Sequence, residues 1–352
     1  MFDTMLNQLG PWLQGEGPHN DIVISSRIRL ARNISGYPFI SKASELDRQR
    51  IEEAVYRAVK NVHEKDDLFE IDLEPLTQLQ RQMLVERQLI SREIAETQGP
   101  RAVYIANDES YSIMVNEEDH IRMHAMTSGL NLHKVWERMN TLDDHLETSI
   151  PYAFSQELGY LTACPTNVGT GMRVSVMMHL PALSISQELD KVFRGLQKLN
   201  LAVRGIYGEG SQALGEFYQI SNQVTLGRSE TELIEQVREI VERIVQYERK
   251  AREALLEANE EALLDKASRA LGVLQTARTM SSEEAMHLLS TLRLAVNTKL
   301  LQAPKVSLIN ELLLFTQPAH LQQLDGQELS PSHRDLSRAQ YLRNRLAEMS
   351  DS

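Results

Sequence analysis

Val103-Tyr-Ile-Ala-Asn-Asp-Glu-Ser-Tyr-Ser-Ile-Met-Val115 reads as two short β-type runs around a polar turn. The second run sets Tyr111, Ile113 and Val115 against Ser112, Met114 and Asn116, the period of a half-buried strand. Asp108-Glu-Ser110 is short and polar, so the spacing predicts a hairpin and an antiparallel sheet. Leu201-Ala-Val-Arg204 and Phe217-Tyr-Gln-Ile220 add β-type runs to a region, Asp21 to about Gly227, that also carries helical stretches. The texture then changes. Ser229-Glu-Thr-Glu232 forms a capping box, and Leu233, Val237, Ile240, Val241, Ile244 and Val245 follow at helical spacing. Ala251 to Ala270 is rich in Ala, Leu, Glu and Lys, and Ser281-Ser-Glu-Glu284 starts a further helix over Ala285 to Leu301. The expected fold class is α+β: a short N-terminal segment over 1–20, an antiparallel sheet flanked by helices over 21–254, and an all-helical domain over 255–352.

Composition narrows the function classes. The 352 residues carry 49 Asp and Glu against 37 Lys and Arg, a formal charge of -12. That balance disfavours direct nucleic-acid binding and favours basic partners. One cysteine excludes an internal disulfide framework and Cys-rich metal sites. Met1 to Asp21 lacks the basic region and apolar run of a secretory signal, and no stretch is apolar enough to span a bilayer, so a cytoplasmic chain without membrane partners is expected. There is no repeat at solenoid period.

Several motifs mislead. His333-Arg-Asp-Leu336 imitates a protein-kinase catalytic loop, but Gln340 stands where Asn belongs and no D-F-G follows. No phosphate-binding G-x-x-x-x-G-K-[ST] is present, and Gly169 with Gly171, or Gly208 with Gly210, lack the third glycine of a dinucleotide loop. His120 and His124 stand four apart and could share a helical face, yet no H-E-x-x-H surrounds them, which leaves structural or surface histidines.

Chemistry concentrates elsewhere. Arginines fall beside turns and strand ends in Ser25-Ser-Arg27-Ile-Arg29, in Asp119-His-Ile-Arg122, in Gly169-Thr-Gly-Met-Arg173 and at Val203-Arg204. On an extended segment the i, i+2 spacing points Arg27 and Arg29 to one side. Five guanidiniums around one cleft would match the roughly four negative charges of a nucleoside triphosphate, since Arg offers a rigid fork of donors. Surface salt bridging is the alternative for any one of them. Asn116-Glu-Glu118-Asp119-His120 and Gly208-Glu209-Gly210 are acidic clusters suited to acid–base work or to solvated turns. Cys164 in a small-residue loop is either a buried inert thiol or one activated by nearby arginines.

Together these blocks resemble the phosphagen (guanidino) kinase family. The resemblance runs from about Asp21 to Ala251 and rests on Ser25-Ser-Arg27-Ile-Arg29-Leu-Ala-Arg32-Asn33, Asn116-Glu-Glu118-Asp119-His120-Ile-Arg122, Cys164-Pro-Thr-Asn-Val-Gly-Thr-Gly-Met-Arg173 and Arg204-Gly-Ile-Tyr-Gly-Glu209. It implies ATP with Mg²⁺ carried on the nucleotide, no metal held by protein side chains, and a phosphate clamp of Arg27, Arg29, Arg122, Arg173 and Arg204. The nucleotide-contact segments it implies are Ser25, Ser26, Arg27, Ile28 and Arg29; Arg173, Val174, Ser175, Val176 and Met177; and Arg204, Gly205, Ile206, Tyr207, Gly208 and Glu209. It makes Glu118 and Glu209 the carboxylate pair holding an acceptor guanidinium, with Glu118 the principal base and Cys164 an electrostatic support. One departure stands out: Gln88 precedes Leu89-Ile-Ser91 where related sequences usually carry His, which bears on an adenosine contact.

Within that family, a missing N-terminal helical domain and an extra C-terminal one are similar to the bacterial enzymes that phosphorylate arginine in proteins. With 24 residues before Ser25, an open site for an arginine embedded in a polypeptide is expected. Arg334-Asp-Leu-Ser-Arg338-Ala339 matches an R-D-x-x-R-A block implied to bind phosphoarginine, with Arg334 and Arg338 on the phosphate and Asp335 on the modified guanidinium. The resemblance further implies arginine-containing client proteins, a heat-shock transcriptional repressor, a zinc-binding activator, a Clp-type AAA+ unfoldase that accepts phosphoarginine as a degradation mark, and a homodimer. Two other readings stay open: a non-catalytic phosphoarginine-binding adaptor, and a kinase for a free guanidino metabolite.

Overall fold

The structure, a computed structural model, describes residues 1–61, 68–205 and 214–348. Its strands are β1 (Val23–Arg32), β2 (Leu68–Asp72), β3 (Ala102–Ala106), β4 (Tyr111–Val115), β5 (Ile121–Ser128), β6 (Phe154–Ser155), β7 (Gly159–Tyr160), β8 (Met172–His179), β9 (Leu201–Gly205) and β10 (Phe217–Asn222). Eight of them form one sheet in the order β2-β3-β4-β5-β1-β8-β10-β9, every neighbouring pair antiparallel. The short β6 and β7 pair separately. The expected hairpin is present: β3 and β4 pair across a turn in which Ser110 N–H donates to Asp108 Oδ1 at 3.0 Å.

Helices α1 (Phe2–Met5), α2 (Glu45–Asn61), α3 (Gln78–Glu86), α4 (Arg92–Glu96), α5 (Leu132–Glu147), α6 (Pro181–Ile185) and α7 (Leu189–Lys198) surround the sheet. A long helical run, α8 (Glu230–Thr276), leads to α9 (Ser282–Asn297), α10 (Val306–Phe315), α11 (Pro318–Asp325) and α12 (Pro331–Ala347). The capping box opening α8 is formed: Ser229 accepts from Glu232 N–H, and the Glu232 side chain accepts from Ser229 N–H. The expected domain boundary at 254/255 falls inside α8. One turn further on, Asn259 adopts extended backbone and its side chain accepts from Ala262 N–H at 3.0 Å, capping the second half of the run.

Strand alternation gives the sheet two different faces. On one, Ile28, Leu30, Met123, Val174, Val176 and Ile220 pack against apolar residues of α2, α5 and the first half of α8. Among the described residues the other is covered by apolar side chains at two places. Met83, Leu84 and Ile94 cover Val103, Ile105 and Met114, while the C-terminal helices pack with Trp12 and Leu13 over Ile24, Met126, Met177 and Phe217. Between these two covers the face is polar.

Candidate active site

Register places the arginines. Residues directly opposite in an antiparallel ladder share a face, as do residues two apart in one strand. Arg29 lies opposite Arg173 on β8 and opposite His124 on β5, and Arg27 lies opposite Ser175 and Met126. Arg122 is opposite Ala31, two residues beyond Arg29. Arg204 faces Gln219, which faces Met177, which faces Ser25. All five arginines therefore leave the same face of the sheet.

The same alternation divides the expected nucleotide-contact segments between the two faces. Ser26, Ile28, Val174 and Val176 are buried on the opposite face, where Ser26 Oγ donates to Gly129 O at 2.8 Å. Only Ser25, Arg27, Arg29, Arg173, Ser175 and Met177 of those two segments send side chains towards the cleft. His120 and His124 share no helix: His124 is a strand residue, and His120 closes a turn, accepting from Ile34 N–H at Nδ1 (2.9 Å). Both are buried. Among the described residues no group of His, Cys, Asp and Glu is arranged to hold a metal.

Two of these arginines, Arg27 and Arg29, are crowded by neighbouring cations. Burial and then the charge of Arg122 push Arg27 down to about 9. Burial, with repulsion from Arg27, Arg122 and Arg173, drives Arg29 well below the ordinary arginine range. Buried His124 is held far below its usual value by burial and by Arg27, Arg29 and Arg122, so it is a neutral neighbour to them. The Nε atoms of Arg27 and Arg29, Ser221 Oγ and Trp12 Nε1 are buried without a hydrogen-bond partner. Unpartnered buried donors beside crowded cations fit a polyanion, because such groups cost free energy until an acceptor arrives.

At one end of this face the turn Asn116–His120 presents two neighbouring glutamates with opposite fates. Glu117 is buried, accepts from Arg122 Nη1 at 2.5 Å and from Ser91 Oγ, and is held below the usual carboxylate range: burial opposes, but Arg122 outweighs it. Glu118 is exposed, and burial of its surroundings and the adjacent Asp119 push its carboxyl up against the pull of Arg122. A carboxylate that keeps its lone pairs and stands beside the cation cluster can accept a proton.

Asp119 brings the cysteine loop to this turn. Its Oδ1 accepts from Ala163 N–H at 2.7 Å and from Asn33 Nδ2 at 2.6 Å, and Asn33 Oδ1 accepts from His120 N–H at 3.0 Å. Cys164 follows, half-buried, with Sγ 3.0 Å from Thr166 Oγ1. The loop then passes Gly169 (φ 110°) and Gly171 (φ 62°), where a Cβ would meet Thr225 O and Ala31 O, each at 2.6 Å. Only glycine fits either place.

Arg32 is a different kind of arginine. It is buried, donates to Asp143 with a closest approach of 2.6 Å, and donates to Thr170 O at 2.9 Å, fixing the loop from beneath. Gln88 accepts from Arg27 Nη1 at 3.1 Å and lines a cavity with Trp12, Ser25, Ser175, Met177 and Gln219. Asn33, Asp119, Glu117 and Trp12 escaped sequence reasoning as contributors. Asn33, Asp119 and Glu117 sit inside the quoted motifs, so those motifs were the available signal; Trp12 has none. Ile206, Tyr207, Gly208 and Glu209 lie outside the described residues.

On α12, Arg334 donates to Leu329 O at 3.0 Å. Arg338 is buried, donating to Thr316 O at 2.9 Å, to Met280 O at 2.8 Å and to Asp335 Oδ1 at 2.6 Å. Ala339 is buried beside it. Arg338 thus already ties α12 to its neighbours.

Comparison with known proteins follows the same division. Residues 50–251 match the model of the ATP:guanido phosphotransferase C-terminal catalytic domain, and residues 260–352 match that of the protein-arginine kinase McsB C-terminal domain. The chain is 46% identical over 339 residues to a protein-arginine kinase of Symbiobacterium thermophilum, covering 96% of each. It is 45% identical to one of Moorella thermoacetica, covering 97% of this chain and 99% of the relative. Among solved structures it is similar to lombricine kinase, with TM-score 0.59 and 26% identity over 70% of each chain. It also resembles the duplicated taurocyamine kinase of Schistosoma mansoni with bound transition-state-analogue components, with TM-score 0.60 and 28% identity. That match covers 70% of this chain and 35% of the duplicated one.

Proposed function

The chain belongs to the ATP:guanido phosphotransferase family, among its protein-arginine kinases, and from that premise we propose that it phosphorylates arginine side chains in proteins using Mg-ATP. The observation that supports this most is one sheet face on which five arginines meet the turn bearing Glu118.

Arg27, Arg29, Arg122, Arg173 and Arg204 would hold the phosphates, their forks of donors matched to phosphate oxygens. Mg²⁺ bound with the nucleotide supplies charge neutralisation on those oxygens. A guanidinium is a poor nucleophile because its lone pairs are delocalised and its pKa exceeds about 12. Glu118 orients it and takes one N–H proton as the N–P bond forms and the bond from the γ-phosphorus to the ADP oxygen breaks. Glu209 is the second orienting carboxylate, and Cys164 an electrostatic support at the acceptor. Neutral His124 beneath the cluster adds no further repulsion.

The finer readings rest on the resemblance of the C-terminal residues. Arg334, Asp335, Arg338 and Ala339 on α12 form a phosphoarginine-sensing site that feeds back on activity. Phosphoarginine marks client proteins for a Clp-type unfoldase and inactivates a heat-shock repressor, under a zinc-binding activator, in a cytoplasmic homodimer. No helix among the described residues is long and apolar enough to cross a membrane.

The test mixes the protein, Mg-ATP and an arginine-rich protein with free arginine as competing acceptor, and reads acid-labile phosphate by mass spectrometry. Phosphorylated protein arginine is the expected result. Phosphate on free arginine alone would select a guanidino-metabolite kinase. Phosphoarginine binding without transfer would select an adaptor.

A further inference from the structure

Gln88 has left-handed backbone, φ 63°, just after α3. A non-glycine residue there is strained and persists only where its surroundings hold it. Its side-chain oxygen accepts from Arg27 Nη1 at 3.1 Å. A neutral acceptor suits this place: it orients a cation crowded by Arg122 without neutralising it, so the charge stays available to a phosphate.

Gln88 N–H donates to Val85 O at 2.9 Å in the turn that ends α3, and that turn is tied further to the other end of the chain. Two residues earlier, the buried carboxylate of Glu86 is taken up by the first turn of α11. It accepts from Ala319 N–H at 2.8 Å, from His320 N–H at 3.1 Å and from His320 Nδ1 at 2.8 Å. With Nδ1 donating, His320 Nε2 is the acceptor facing Arg87 Nη1 at 3.4 Å. Arg87, between Glu86 and Gln88, is itself locked by Glu109 and by the carbonyls of Met5 and Gln8. Burial keeps His320 below its ordinary value, which agrees with a neutral ring. The start of α11 is braced from behind by Arg338, through Thr316 O. Trp12, Gln88 and Met177 line both the cavity reaching Leu313 and Gln317 of the C-terminal helices and the cavity reaching Ser25 and Arg27.

We propose that the C-terminal helices set the position of Arg27 through Glu86 and Gln88, so that Glu86, Gln88 and His320 are positioning residues for nucleotide binding. This rests on the arginine face being the nucleotide site. It makes the helical region a working wall of that site.

The test measures Mg-ADP affinity of the full chain by calorimetry, alongside steady-state kinetics. Gln88→Ala cuts the link at Arg27, and His320→Ala cuts it at Glu86. Each is expected to weaken Mg-ADP about five- to tenfold and raise KM for ATP in parallel, with kcat at saturating ATP unchanged within about twofold. The double variant is expected to be no more than about twofold weaker than either single, because both break one line of contact. His320→Asn, which keeps a donor towards Glu86, should restore most of the affinity. Losses that multiply in the double variant, or a lowered melting temperature with Mg-ADP affinity intact, would overturn the proposal. Absence of Mg-ADP binding by the unaltered protein would instead overturn the reading of the site, so the two failures are distinguishable.

Discussion

On β1, Arg32 turns into the core face and is buried, while Arg29, three residues earlier, turns into the cleft and is half-buried. Arg32 finds Asp143, the carbonyls of Ala31 and Thr170, and the ring of Tyr160 at 3.6 Å. Arg29 finds Arg27, Arg122 and Arg173, and its Nε has no partner. The contrast recurs one strand away, where Glu117 is spent on Arg122 and Ser91 while Glu118 keeps its oxygens. In each pair the satisfied charge is also the more buried one. Satisfied charges build the scaffold, and charges left short of partners mark where a ligand completes the arrangement.

The largest effect should fall on the unspent carboxylate. Glu118→Gln is expected to lower kcat by about 10²–10⁴-fold, the usual contribution of a general base, with little change in melting temperature. Its pH dependence follows from the direction of the shift. Glu118 is raised by burial and by Asp119, and the base must be ionised. Activity should therefore rise with pH through an acid limb above the ordinary Glu value of about 4.3, and Glu118→Gln should abolish that limb. A variant with unaltered turnover would break the contrast between the two glutamates.

Next comes the scaffold arginine. Arg32→Ala strands the Asp143 carboxylate and should cost about 3–5 kcal/mol of unfolding free energy in urea titrations. A loss near zero would mean that satisfied and unsatisfied arginines are energetically alike here.

Much of this was legible beforehand, and the reasons differ by element. The runs at 103–106, 111–115, 201–204 and 217–220 are strands because apolar residues alternate or cluster at strand length. Strand β5 was hidden: its alternation of Ile121, Met123 and Ala125 against Arg122 and His124 competes with His120 and His124, whose spacing of four suits a helical turn as well as two strand steps. In β8, Met172, Met177 and Met178 occupy both faces and blur the period. The arginine blocks could be read one by one, but their sharing of a face depends on registers between strands far apart in sequence. Asn33 meeting Asp119, Glu86 meeting His320 and the burial of Arg338 are likewise contacts across long separations that no local pattern encodes.

Arg29 is crowded by cations and short of an anion. Urea unfolding of the wild type and of Arg29→Ala, with and without saturating Mg-ADP, reads that directly. Without nucleotide the variant should be within about 1 kcal/mol of the wild type or above it, since a crowded cation is removed. With Mg-ADP at about 100 times its Kd the wild type should gain about 2.7 kcal/mol and the variant far less at the same concentration. A variant that is several kcal/mol less stable without nucleotide, yet gains as much from Mg-ADP as the wild type, would contradict it.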